Sequence, residues 1–142
     1  PLIVRWPGKV KAGINATPVI STDFYPTLLS AAGIAAGKGV ASDGEDLLPL
    51  LTAGKKLKRQ AVFWHYPNFA FHRDNRLGSA IRAGDYKLLE FFDDQSVELY
   101  NLRDDIGEKI NLADQKPELA MRLKAQLHAW RAHTKAAMPT PR

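Results

Sequence analysis

The chain has 142 residues and a formal net charge of +5, a length that suits one ordinary domain and buries about two-thirds of the surface its unfolded form exposes. It contains no cysteine, which excludes disulfides, thiolate metal sites and cysteine nucleophiles. No apolar run approaches the ~18 residues of a membrane span, and the chain opens on neither an initiator Met nor a signal peptide.

Pro1-Leu2-Ile3-Val4-Arg5 reads as an apolar strand already under way, hence as a fragment whose beginning is missing, and Trp6-Pro7-Gly8 ends that strand. Asn15-Ala16-Thr17 matches a glycosylation sequon. A helix is expected over residues 23–32, capped by Ser21 or Thr22 and closed by Gly33, with Phe24, Leu28 and Ala31 or Ala32 on one face. Small residues and glycines over 35–42 mark a surface loop, and Asp43-Gly44 turns the chain before Leu47-Leu48-Pro49-Leu50-Leu51 packs down again. Lys55-Lys56-Leu57-Lys58-Arg59 is the densest basic cluster and reads as a linker between two units.

Beyond it, Ala61-Val62-Phe63-Trp64-His65-Tyr66 has the β-branched and aromatic content of a buried strand, stopped by Pro67. Residues 68–77 form a polar and aromatic loop. Gly84-Asp85 then closes a hairpin, because glycine supplies the positive φ of a twist-matched turn. Its register places Ala83 opposite Tyr86, Arg82 opposite Lys87, Ile81 opposite Leu88 and Ala80 opposite Leu89, with Ile81 and Leu88 in the core. The Arg82/Lys87 pair sets like charges side by side, which repel unless an anion lies between them. Asp93-Asp94-Gln95 turns into a further strand over 97–102, so three or four antiparallel strands are expected. The last helix begins near Pro117, with Leu119, Leu123, Leu127 and Trp130 forming a stripe that covers one face of the sheet.

Charge is polarised: residues 90–118 carry nine acids against three bases, and residues 119–142 five bases and no acid. Such a basic helix either meets a polyanion or faces the chain's own acids. No histidine pair has the i, i+4 spacing of helical metal ligands, since His128 and His133 are five apart. The acids at 43–46, 93–94 and 104–105 lack the order of an EF-hand loop and suit turns and caps. His65, at the end of a strand, and the loop bearing His72, Arg73 and Arg76 are the best candidates for ligand contact. Guanidinium groups donate paired hydrogen bonds to sulfate or carboxylate oxygens.

The ordered series Pro1-Leu2-Ile3-Val4-Arg5-Trp6-Pro7-Gly8, Asp23-Phe24-Tyr25-Pro26-Thr27-Leu28-Leu29 and Asp43-Gly44 resembles the later part of the sulfatase catalytic domain. Phe63-Trp64-His65-Tyr66-Pro67, Ala80-Ile81-Arg82-Ala83-Gly84-Asp85-Tyr86-Lys87-Leu88, Glu98-Leu99-Tyr100-Asn101-Leu102, Asp105-Ile106-Gly107-Glu108 and Asn111-Leu112-Ala113 resemble the C-terminal subdomain of arylsulfatase A-type and N-acetylgalactosamine-6-sulfatase-like enzymes. The resemblance implies an α/β, alkaline phosphatase-like fold whose tail occupies residues 1–55. A C-terminal antiparallel β-sheet with a packed C-terminal helix then occupies 56–142.

It further implies a sulfuric ester hydrolase acting on a sulfated small molecule or glycan, with a formylglycine nucleophile and a calcium ion. The nucleophile motif, metal ligands and catalytic lysine and histidine would all precede Pro1, so the chain alone is expected to be inactive. No catalytic or metal-binding residue is assigned within it. His65, His72 and Arg76 are expected to be substrate-side contacts, and Arg82 and Lys87 to fix the subdomain interface. No nucleic-acid partner is expected, and the resemblance suggests periplasmic, secreted or lysosomal-type export. The competing readings are a polyanion-binding module using residues 55–59 and the basic helix, and a non-catalytic structural or interaction domain.

Overall fold

Gly84 takes φ +59°, as the expected hairpin turn requires, and a computed structural model of the chain is organised around that turn. It describes residues 1–35, 43–68 and 75–140. These fall into two compact units, Pro1–Gln60 and Ala61–Arg142.

In the second unit, β1 (Ala61–Tyr66), β2 (Gly78–Ala83), β3 (Tyr86–Phe91) and β4 (Val97–Asn101) form an antiparallel meander in the order β1-β2-β3-β4. The β2–β3 register pairs Ala80 with Leu89, Ile81 with Leu88, Arg82 with Lys87 and Ala83 with Tyr86, as the turn chemistry alone requires. Alternation then puts Phe63, Ile81, Leu88 and Leu99 on one face. A helix, Pro117–Thr134 (α3 below), lies across that face.

Leu123 and Leu127 of α3 join Ile81, Leu88 and Leu99 in the buried core, and Trp130 stacks on Phe63 at 5.0 Å with the rings 5° from parallel. Each fully buried leucine contributes about 1.5–3 kcal/mol of transfer free energy, so this seam holds helix and sheet together. Pro117 sits at the helix start, where its missing amide costs nothing, and Lys135 ends the helix in the left-handed region at φ +51°. Asn111 covers the β4 edge: its Oδ1 accepts from the Leu99 amide at 3.0 Å, and the Leu112 amide donates to the Leu99 carbonyl at 2.7 Å.

The first unit carries α1 (Phe24–Ala31) and α2 (Leu48–Ala53). A 3-10 turn over Ser21–Asp23 precedes α1, and neither Ser21 nor Thr22 caps it. The local anchor is Asp23, fully buried, whose carboxylate accepts from the Ile20 amide at 2.9 Å and the Glu45 amide at 3.0 Å. It also takes both terminal nitrogens of Arg59, at 2.5 and 2.6 Å. Burial works to raise the Asp23 carboxyl, but Arg59 and the two amides outweigh it and hold it below the usual carboxylate value. Gly44 fits only as glycine, because a Cβ there would run into the Thr22 carbonyl.

Two expectations change, and one helix face is left open. Leu2-Ile3-Val4 is not a strand: pairing makes a strand, and it has no ladder partner among the described residues. The face of α1 that carries Phe24 and Leu28 is open, those side chains being 44% and 67% exposed. β1 is buried only in part: on the face away from α3, Val62 is buried while Trp64 and Tyr66 are 43% and 45% exposed. The loop expected over 35–42 and the loop residues His72, Arg73 and Asp74 lie outside the described residues, apart from Ala35.

Candidate functional site

Antiparallel pairing sets His65 opposite Ser79 and Ser79 opposite Glu90, so these side chains form a polar row across β1, β2 and β3 under α3. His65 Nε2 lies 2.6 Å from the Ala137 carbonyl, which can only accept, so Nε2 carries the proton. Nδ1 is then the acceptor for the Ser79 hydroxyl at 2.7 Å, and Arg131 Nη1 donates to the same hydroxyl oxygen at 3.3 Å. This serine–histidine pair does no nucleophilic chemistry: Ser79 is buried, and both ring nitrogens are spent holding strands and the segment after α3 together.

Glu90 completes the row. Lys124, His128 and Arg131, at i, i+4 and i+7 on α3, converge on its carboxylate at 3.2, 2.9 and 2.8 Å. Burial works to raise the Glu90 carboxyl, while His128, Lys124 and Arg131 hold it below the usual value. The basic helix thus meets one of the chain's own acids. Of the basic cluster 55–59, Arg59 is committed to Asp23, and the Lys58 and Arg59 amides donate to Glu45 at 2.7 and 2.5 Å.

On the sheet face away from α3, Trp64, Tyr66, Arg76, Ala80, Leu89 and Phe91 line a cleft of about 170 Å³. The Arg76 guanidinium lies over the Phe91 ring at 3.7 Å and bonds Asp93 through Nε at 3.0 Å and Nη2 at 2.8 Å. Its Nη2 also pairs with Asp94 at 2.7 Å. Asp93 first, with Asp94, pushes Arg76 above its ordinary value, and Arg76 in turn lowers Asp93. Lys87 pairs with Glu108 at 2.7 Å, which relieves the like-charge contact expected beside Arg82. Arg82 itself has no hydrogen-bond or ion-pair partner among the described residues, and its Nε is buried. Tyr100 donates to Glu98 at 2.9 Å, and burial with that carboxylate pushes its phenol up to about 12.

His65 and Arg76 therefore flank opposite faces of the sheet, and His72 lies outside the described residues. The described acids do not fit a calcium ion. Asp23, Glu90 and Asp93 are matched by cations, and Asp105 accepts the Lys109 and Ile110 amides at 2.8 and 2.9 Å. No group of three or more metal-ligating side chains occurs among the described residues. Among these residues, too, no helix is long and apolar enough to cross a membrane. The polar row was legible in principle: the hairpin register already set Ser79 beside Glu90, and 124, 128 and 131 share one helical face. The open aromatic cleft carried no such signal.

An antiparallel meander closed by one C-terminal helix is the architecture of the C-terminal subdomain of sulfatases. A solved structure of a protein in complex with its substrate D-glucosamine-2-N,6-O-disulfate superimposes with a TM-score of 0.67 at 26% identity, over 82% of this chain and 24% of that one. A sulfatase from Formosa agariphila is 35% identical over 92% of this chain, and arylsulfatase A from Bos taurus 31% identical over 97%. This chain spans 26% and 31% of those two relatives. The family model described as N-sulphoglucosamine sulphohydrolase, C-terminal, matches residues 1–133, and the chain belongs to that sulfatase family.

Proposed function

We infer that this chain is the C-terminal part of a sulfatase that hydrolyses aryl or carbohydrate sulfate esters. Its formylglycine nucleophile and calcium ion belong to polypeptide preceding Pro1. The supporting observation is the family match over residues 1–133. Such a calcium ion, with cationic side chains, would offset charge on the sulfuryl oxygens. The described residues of this chain contribute a rigid frame: the Glu90 cluster fixes α3 to the sheet, and the two ends of the β1–β2 connection are tied by His65 to Ser79 and by Arg76 to Asp93. Of the substrate-side candidates, His72 falls in that connection by sequence, while His65 and Arg76, engaged by Ser79 and the Ala137 carbonyl and by Asp93 and Asp94, would act by holding its two ends. A sulfated sugar is the favoured substrate class, because a structural neighbour holds a disulfated glucosamine as its substrate.

The test is release of inorganic sulfate from 4-nitrocatechol sulfate and from 6-O-sulfated glucosamine, with calcium or a chelator. The longer protein containing this chain is expected to release sulfate only with calcium, and the isolated 142-residue chain to release none. Turnover by the isolated chain would overturn the assignment of the chemistry to preceding polypeptide, and a longer protein inactive on every sulfate ester would overturn the sulfatase reading.

A further inference from the structure

We propose that the sheet face opposite α3 is an internal docking surface of the longer protein, on which polypeptide preceding Pro1 seats an apolar side chain between Trp64 and Tyr66 on one side and Leu89 and Phe91 on the other. This docking rests on the sulfatase reading only for the existence of that polypeptide. The cleft itself follows from the sheet.

Where one face of an antiparallel sheet meets water, the polar residues of each strand point to that face. Here the polarity is inverted: His65, Ser79 and Glu90 point under α3, and their strand neighbours Trp64, Tyr66, Leu89 and Phe91 point to the opposite face. Across that face the rows run Tyr66, Gly78, Phe91 and Trp64, Ala80, Leu89, so each row is large, small, large. That sequence of sizes leaves a groove over Gly78 and Ala80, and its volume of about 170 Å³ suits one large aliphatic or aromatic side chain. The floor is fixed as glycine, because a Cβ on Gly78 would lie 2.7 Å from the Glu90 carbonyl oxygen. Arg76, laid on Phe91 and held by Asp93 and Asp94, makes one wall stiff, so little ordering is left for the act of docking.

Charge and length select the occupant. Arg76, the cation that lines the cleft, is already matched by two aspartates, and Arg82 lies outside the cleft in a covered row with buried Val62 and Tyr100. Among the described residues the cleft therefore offers an anion no free cation, and its open rings suit an apolar side chain. This chain spans 26% and 31% of its two sulfatase relatives, so most of a protein of that kind lies outside it. Polypeptide joined covalently at Pro1 meets the face at an effective concentration on the order of millimolar, well above what a second copy reaches in dilute solution. A sheet with α3 on one face and an apolar second face is completed by a further layer of protein.

The experiment is hydroxyl-radical footprinting of the complete protein containing this chain, native and unfolded in urea, read at Trp64 and Tyr66 by mass spectrometry. Docked, both rings are expected to be oxidised about tenfold more slowly in the native protein than in the unfolded one. Left open at 43% and 45% exposure, they would slow only about twofold, and that result would overturn the proposal. A photoreactive benzophenone side chain placed at position 66 names the occupant. A crosslink within one chain to a peptide preceding Pro1 is expected. A crosslink between two chains, seen as a doubled mass, would give the face to a second copy, and protection that appears only on adding a sulfated hexasaccharide would give it to a ligand; either overturns the proposal. Turnover of sulfate esters by the same preparation separates the two claims: protected rings without turnover retain the docking surface and remove the enzymatic reading, and turnover with open rings does the reverse.

Discussion

Replacing Glu90 by Gln would leave three cations gathered around a neutral amide at the junction of sheet and helix. Removing one member of a buried ion pair costs about 3–5 kcal/mol, because the remaining charge stays desolvated. Lys124 and His128 are more than a third exposed and solvent screens them, so most of the effect falls on Arg131, whose side chain is only 10% exposed. The expected loss is therefore about 2 kcal/mol, read as a lower urea midpoint with an unchanged m-value. The pH dependence has a definite sign. The folded Glu90 carboxyl lies below its ordinary value of 4.5, so its contribution is complete above that value and is lost as pH falls through the depressed folded value. Wild type should lose stability more steeply than Glu90→Gln below pH ~4.5. A Glu90→Gln protein within about 0.5 kcal/mol of wild type, or with the same acid slope, would refute the reasoning.

Asp23→Asn should remove the charge that Arg59 needs and open the first unit, seen as faster hydrogen exchange at the Ile20, Glu45 and Arg59 amides while the core strands of the sheet stay protected. His65→Ala should free the segment after α3 from its contact at the Ala137 carbonyl, so that limited proteolysis cuts after Lys135 sooner than in wild type. Gly84→Ala should cost about 1–2 kcal/mol in thermal or urea unfolding, the strain of a Cβ in the left-handed region. Gly44→Ala should cost more than Gly84→Ala, because it adds a backbone collision with Thr22.

What the sequence made legible was what local rules and period-two or helical spacing determine. Gly84-Asp85 fixed a register that carried Ile81 and Leu88 into the core, and the stripe Leu119, Leu123, Leu127 and Trp130 named the helix face that covers them. Leu2-Ile3-Val4 was misleading, since apolar content signals a strand only where a neighbour supplies the ladder. Trp64 and Tyr66 carry the composition of buried strand residues, and nothing local tells which face of a sheet another element covers. Pairs distant in sequence, such as Asp23 with Arg59, are invisible to any local pattern. Arg76 drew notice as an oxyanion ligand through its side-chain chemistry, and only the fold revealed that Asp93 and Asp94 occupy it.

We infer that this chain completes a sulfatase whose chemistry lies in preceding polypeptide. The most direct test is to read the coding frame upstream of Pro1 in the same source. The expected result is an in-frame Cys/Ser-x-Pro-x-Arg motif with acidic metal-ligand positions before it. A frame that continues upstream without that motif would contradict it.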